Sequence, residues 1–336
     1  MTDFAPNPIQ VLSEFQLPPT EIRSIIAWEG GLSGSEVWKV QTDQASYCLK
    51  LMPPEFSVNR LLAAHQAAHH RRRLGMTTLA GYLPASTGQT YVEANNRLWE
   101  LQTWMDGLSP SVPYSAPHRK AMFHAIAEFH TYRETPPRET AISPGITTRS
   151  QLCQKWSLRH TQNQFPSLRS FGHPHWKPAI KQFLDSFVLY HTRLQTLLKS
   201  QKQERYELED CIADPRPENF RFHEDQLTGL FDLGSMRWDN IALDVSRLAS
   251  EVSSDGKVDW DFAFHAVSTL RPLTPSEERL AMIFDAANVL LTGLNWVQWL
   301  VIDERRFANC NHVSSRLSHL TARLAKIDQH TVWQLK

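Results

Sequence analysis

The hydrophobic periodicity of this chain changes character once, and that change bounds what it can fold into. Through the first hundred residues, apolar side chains sit in short alternating runs separated by turn residues; after Gly107 they recur at helical spacing. Alternation places every second side chain on one face of a strand, whereas recurrence three and four apart builds one face of a helix. Strands are expected at 24–28, 37–40, 46–51, 89–93 and 97–102, with one helix at 58–74 among them. Polar turns at Thr42-Asp43-Gln44 and Ala94-Asn95-Asn96 join neighbouring strands. Beyond a connector marked by Pro110, Pro113 and Pro117, helices are expected at 116–132, 150–160 and 178–202, and through most of 240–330, with loops over 136–145 and near Gly256 and Pro272. A late strand at 227–233 enters Gly234. The plan is α+β and bilobal: a small antiparallel β-rich lobe, 1–104, and a larger, mainly helical lobe, 105–336, joined by a hinge at about 102–107.

The chain has 336 residues, enough for one large or two modest domains with ample core. Its 35 basic and 35 acidic side chains balance, which leaves no global basic field for nucleic acid or a membrane surface. The run His69-His70-Arg71-Arg72-Arg73 is either a solvated helix end or an anion contact. Cys48, Cys153, Cys211 and Cys310 form no CxxC pair, so neither a zinc site nor a disulfide framework is expected. Scattered thiols fit a reducing cytoplasm, and the first residues lack the basic and apolar segments of a secretory signal. The stretch 280–302 is the most apolar, yet Asp285, Asn288, Asn295 and Gln298 would be costly in lipid, so a buried helix is expected there.

Four constellations carry candidate chemistry. Gly30, Gly31, Ser33, Gly34 and Ser35 lie between two strands, either as a plain hairpin loop or as a loop whose backbone approaches a polyanion. Lys50 follows in an apolar strand, either snorkelling outward or reaching toward phosphates. In CIADPRPENFRF, Asp214 and Asn219 flank two prolines, either in a surface turn or in a fixed catalytic geometry. Asp232 ends the late strand just before Gly234. Asn219 and Asp232 offer the hard oxygen ligands that Mg²⁺ takes, and Asp214 would then be free to accept a proton from an alcohol.

Taken in that order, these residues resemble the aminoglycoside phosphotransferase/choline kinase-like family of the protein kinase-like superfamily, over about 24–250 and most strongly at 211–248. The resemblance implies a bilobal kinase-like fold and an enzyme that uses ATP and Mg²⁺ to phosphorylate a hydroxyl of a small molecule, with no nucleic acid or membrane partner. It implies Asp214 as the catalytic aspartate, Asn219 and Asp232 as magnesium ligands, and Lys50 on the α- and β-phosphates. The glycine loop would cover the phosphates, the backbone near Thr103 and Met105 would bond adenine, and Asp244 would brace the catalytic loop. Ile212 and Ala213 stand where the family usually has histidine and glycine, and the 58–74 helix offers Asn59, His65, Gln66, His69 and His70 but no acid to pair with Lys50.

The acceptor is less marked. Asp285, Asn288 and Thr292 share helical spacing and form either a substrate wall or internal polar contacts. Trp296 and Trp299 form either an aromatic face for an ammonium or sugar ring or part of the core. Arg216 is either a contact for an anionic acceptor or γ-phosphate, or a surface arginine. The expected acceptor is an amino alcohol, sugar or aminoglycoside-like compound. A nucleotide-binding pseudokinase acting through a partner protein is the alternative. A protein kinase is disfavoured because no long activation segment follows Asp232.

Overall fold

The computed structural model describes residues 7–28, 34–132, 139–170, 173–253, 256–307, 309–329 and 331–334. The chain packs into two compact units, Met1–Glu134 with Pro217–Met236, and Thr135–Arg216 with Arg237–Lys336. The first contains α1 (Pro8–Glu14), β1 (Ile22–Trp28), β2 (Glu36–Thr42), β3 (Ser46–Leu51), α2 (Val58–Arg73), β4 (Val92–Ala94), β5 (Arg97–Thr103) and α3 (Ala116–Thr131). The second then contributes β6 (Thr140–Ala141), α4 (Pro144–Thr161), α5 (Phe165–Arg169), α6 (Lys177–Gln201), β7 (Tyr206–Glu207) and β8 (Glu209–Cys211). The chain returns to the first unit for β9 (Phe220–His223) and β10 (Gln226–Leu230). It ends in the second with β11 (Arg237–Asp239), α7 (Ala242–Glu251), α8 (Trp260–Ser268), α9 (Pro275–Val297) and α10 (Cys310–Leu324).

In the first unit an antiparallel sheet of order β1-β2-β3-β5-β4 follows from the alternation of its strands. Val40, Leu49, Leu51, Trp99 and Leu101 turn one way and pack with Val11, Leu12 and Phe15 of α1. Asn95 and Asn96 both take left-handed backbone conformations (φ 52° and 56°), the requirement of a two-residue hairpin turn. That turn sets Val92 opposite Trp99 and puts β4 at 92–94, later than the expected 89–93. Residues 85–89 fold instead into a local turn closed by the bond from Ala85 N–H to the Gln89 carbonyl (2.6 Å).

The basic run that closes α2 is not simply solvated. Arg71 is only 4% exposed. Its Nε donates to the Phe129 carbonyl (2.7 Å), and its guanidinium lies 3.7 Å over the Phe129 ring. Arg72 donates to the carbonyls of Thr77 and Leu79. These arginines therefore tie α2 to its neighbours through backbone oxygens.

The hairpin β9–β10 is fastened to the segment that follows β5. Leu108 and Phe222 exchange backbone hydrogen bonds, each 2.9 Å, and the Thr228 hydroxyl donates to the Asp106 carbonyl (2.5 Å). Gly107 has φ 112°, and a Cβ there would meet the Phe222 carbonyl oxygen at 2.6 Å, so only glycine fits. The compact unit consequently includes the 102–107 segment and α3 along with the sheet. β10 stops at Leu230, short of the expected 233, because Asp232 leaves strand geometry.

The second unit is built around α9. Its start carries a reciprocal cap: Glu277 N–H donates to the Thr274 hydroxyl (3.2 Å), and the Glu277 carboxylate accepts from Thr274 N–H (2.9 Å). Helices α4, α6, α7 and α10 pack on it. α4 begins at Pro144, earlier than expected, because the Ser143 hydroxyl accepts from Ile146 N–H (3.3 Å) and proline suits a first helical turn. The α9 segment Pro275–Ile302, which closes in a π-type turn, is the one helix among the described residues long and apolar enough to cross a membrane. Its apolar window is 78% buried within the protein, as its polar residues foretell. Where α9 meets α6, a Cβ on Gly293 would lie 2.7 Å from the Phe183 ring. Gly293→Ala is expected to cost about 1–3 kcal/mol through overpacking, read as a lower midpoint in urea; an unchanged midpoint would refute this account of the crossing.

Candidate active site

The face of the sheet turned away from α1 holds a row of polar residues. Alternation that sends Leu49 and Leu51 into the core sends Cys48 and Lys50 the other way, and their partners on β5 are Gln102 and Glu100. Lys50 is 8% exposed and Glu100 3%. Burying such charges has no folding benefit unless they are paired. Lys50 Nζ donates to Asp232 Oδ1 at 2.6 Å. Burial opposes the lysine's charge, but the carboxylates of Asp232 and Glu100 outweigh it and hold the ammonium form above its ordinary range.

Asp232 sits where β10 breaks. Phe231 N–H donates to the Asn219 carbonyl (3.2 Å), so one backbone bond joins Asn219 to the residue before Asp232. Asp232 is left-handed (φ 65°), a conformation a non-glycine residue enters at a cost of roughly 1–2 kcal/mol. Its carboxylate remains half-exposed while bonded to Lys50. A Cβ on Gly234 would make only ordinary contacts, 3.5 Å from Asp232 Oδ1 and 3.9 Å from Lys50 Nζ. The half-exposed Asp232 carboxylate beside a protonated lysine is the kind of oxygen donor a hard divalent cation takes, and Asn219, tied by its backbone to the residue before Asp232, could supply a second.

The other nucleotide-binding candidates lie in the same unit. Gly34 (φ 80°) has open space around its missing side chain, and Ser35 leads into β2. Gly30, Gly31 and Ser33 lie outside the described residues. Thr103 N–H donates to the Gly81 carbonyl (2.8 Å), and the Thr103 hydroxyl accepts from Gly81 N–H (2.9 Å). Met105 lies against Gly229, where a Cβ would come within 2.5 Å of it.

In the second unit, β8 pairs with β11 and delivers Ile212 and Ala213 to Asp244. Asp244, fully buried in the first turn of α7, accepts the N–H groups of Ile212 (2.8 Å) and Ala213 (2.6 Å). The loop is thus braced through its backbone, and no donor side chain is needed at 212, where isoleucine packs in the core. Ala213 is left-handed (φ 68°). Asp214 follows, held by Arg247 Nε (2.6 Å) and Arg216 Nε (3.0 Å). Arg247 also reaches Glu251 (2.8 Å), which takes two bonds from Arg316 (both 2.8 Å). Burial would raise the pKa of Asp214 and Glu251, but the arginines outweigh it, so both carboxyls lie below their usual values.

Sequence reasoning missed Glu100, His65, Arg247, Glu251 and Arg316. Two signals were present: Glu100 alternates in phase with Gln102 on β5, and Arg247 and Glu251 are four apart on the helix that begins near Asp244. The proposed substrate wall on α9 is corrected. Asp285 is 0% exposed and spent on Arg323 (2.5 and 2.6 Å). Trp296, 3% exposed, packs edge-on against Trp299 and beside Phe307. The Asn288 amide oxygen accepts two bonds from Arg149 (3.2 and 2.8 Å). Asp285 and Asn288 thus tie α9 to α10 and α4, since polar groups enclosed by the protein find their partners inside it.

The model of the phosphotransferase enzyme family matches residues 24–270. No curated protein sequence matches. Among solved structures, an aminoglycoside phosphotransferase from Alicyclobacillus acidocaldarius shares 16% identity, covers 99% of this chain and 98% of its own, and superposes with a TM-score of 0.57. Spectinomycin phosphotransferase APH(9)-Ia, solved with ADP and spectinomycin, shares 12% identity over 98% of each chain, at 0.61. The amicoumacin kinase hAmiN, solved with AMP-PNP, Ca²⁺ and its antibiotic, shares 14% identity over 97% of this chain and 94% of its own, also at 0.61. Likeness at such identities establishes the fold: the bilobal, α+β, protein-kinase-like architecture, with a small antiparallel sheet and a larger helical part.

Two outcomes follow from the braced loop and the arginine cluster. Asp214 and Glu251 have folded pKa values below their unfolded ones, near 4. Their stabilisation is therefore complete above that range and is lost as pH falls through the depressed values. Glu251→Gln should lower Tm at neutral pH and flatten the acid limb of a Tm–pH curve; an unaltered limb would discount the cluster. Ala213→Gly relieves the left-handed strain and should stabilise by up to about 1 kcal/mol after the extra unfolded-state entropy, measured by chemical denaturation.

Proposed function

Because the chain belongs to the phosphotransferase enzyme family, we propose that it moves the γ-phosphoryl group of ATP, with Mg²⁺, to a hydroxyl of a small molecule. The observation that carries this reading is the pair of buried Lys50 with half-exposed Asp232, with Glu100 opposite Lys50 in the β3–β5 ladder. Lys50 holds the α- and β-phosphates, and Asp232 and Asn219 hold the metal. The loop of Gly30, Gly31, Ser33, Gly34 and Ser35 covers the phosphates, and the backbone of the 102–107 segment bonds adenine near Thr103 and Met105. Bound metal supplies the charge neutralisation that phosphoryl transfer needs.

Asp214 is the residue for the acceptor. Arg247 and Arg216 keep it anionic at neutral pH, so it is a weak base but a steady hydrogen-bond acceptor. That suits the reaction, whose loose transition state needs orientation of the hydroxyl more than early removal of its proton. The acceptor class is an amino alcohol, sugar or aminoglycoside-like compound. In support, solved relatives bind ADP with spectinomycin and AMP-PNP with amicoumacin, and a further one is an aminopropanol kinase. The four free thiols are consistent with a cytoplasmic enzyme.

The test is a metabolite mixture incubated with ATP and Mg²⁺ and read by mass spectrometry for gain of a phosphoryl group, with Asp214→Asn as the blank. Turnover on the acceptor found should fall by about 10²–10⁴ in that variant, while ATP–Mg²⁺ binding persists. Asp232→Ala should abolish the metal-dependent part of the thermal shift with ATP. Turnover retained by Asp214→Asn would remove it from the reaction; binding without turnover on any acceptor would favour a binding-only protein.

A further inference from the structure

We infer that Glu100, aimed by His65, is the acid that positions Lys50 for nucleotide phosphates, in place of an acid on α2. The inference rests on the phosphate role proposed for Lys50. α2 reads VNRLLAAHQAAHHRRR and carries no carboxylate. A buried ammonium nevertheless needs a fixed anion nearby, because a charge taken out of water without one is costly. Asp232 meets that need only in part: its half-exposed carboxylate is also the oxygen donor assigned to the metal. An acid that serves only the lysine must come from elsewhere.

Glu100 meets the requirement. It lies directly across from Lys50 in the β3–β5 ladder, on the same face, where opposed Cβ atoms approach to about 4.5–5.5 Å. It is buried, so it cannot swing out to solvent. α2 still contributes, through a different residue type. His65, buried on α2, places Nε2 2.9 Å from Glu100 Oε2 and Nδ1 2.7 Å from Thr90 Oγ1. With Nε2–H donating to Glu100, the other nitrogen accepts from the Thr90 hydroxyl, so both ring nitrogens are satisfied. The ring stacks on Tyr82 at 3.7 Å, which fixes its plane. Thr90, His65 and Tyr82 therefore hold one oxygen of Glu100, and the β3–β5 register keeps that charge on the face Lys50 occupies, where it acts on the ammonium through space and not as a direct ion pair. The helix-to-lysine link is kept, but its acid sits on the neighbouring strand.

The test compares the full chain with its Lys50→Ala, Glu100→Gln and double variants, using ADP without metal as the probe and a fluorescent ADP analogue as the reporter. Glu100→Gln keeps the shape and a bond to His65 but removes the charge. It should weaken ADP by about 10–100-fold, the usual scale when the outer partner of a site is lost. In the turnover assay it should raise KM for ATP and leave KM for the acceptor unchanged, a split that general loosening of the fold would not produce. The double variant should bind ADP no more weakly than Lys50→Ala alone, because the two residues act as one unit. ADP bound by Glu100→Gln as tightly as by the parent, or losses that multiply in the double variant, would overturn the inference. If Glu100→Gln shows no cooperative melt, Glu100→Asp replaces it: the same weakening is expected, and parental affinity would again overturn the idea. If Lys50→Ala itself leaves ADP affinity intact, the phosphate role of Lys50 falls first, and this inference falls with it.

Discussion

A single buried ammonium group sets the terms for the sheet-bearing unit. Lys50 is carried into low-dielectric surroundings by the alternation of β3, and there its charge must be met. One answer comes from the adjacent strand, as Glu100. The other comes from 182 residues further along the chain, as Asp232 at 2.6 Å. Around that second contact the unit accepts a left-handed aspartate and a hairpin fastened through Leu108 and Phe222. Neither favours folding alone. Together they present a half-exposed carboxylate next to a fixed cation.

The helical unit solves a different problem, that of presenting a carboxylate which stays charged although largely enclosed. Asp244 first fixes the backbone by accepting two consecutive N–H groups, and this holds Ala213 in a conformation alanine otherwise avoids. Arg247 and Arg216 then bind Asp214, and Glu251 takes bonds from both Arg247 and Arg316. The arrangement trades basicity for constancy. Such a carboxylate is a steady hydrogen-bond acceptor and a weak base.

Much of the fold was legible because local patterns carry it. The strand at 46–51 and the starts of the helices at 58 and 116 follow from periodicity, and the Asn95-Asn96 turn from its residue types. The misses have local causes too: two left-handed asparagines moved β4, a serine cap lengthened α4, and a left-handed aspartate cut β10 short. The polar residues of α9 misled in another way. Asp285 and Asn288 have the spacing of a binding face, but each is matched to an arginine from another helix, and spacing on one helix says nothing about what stands opposite.

The sequence by itself determined the order of the chemical residues: a glycine-rich turn, a strand lysine, an aspartate–asparagine loop and a final aspartate before glycine. That order is a property of the chain, and its resemblance to a family is readable without coordinates. Only the tertiary structure decided which charges meet. Nothing local assigns Asp232 to Lys50, His65 to Glu100, or Arg247 to Asp214, because each pairing depends on which elements become neighbours once the cores have formed. Burial then gives those contacts their weight, since an ion pair that is nearly neutral in water becomes obligatory where water is excluded.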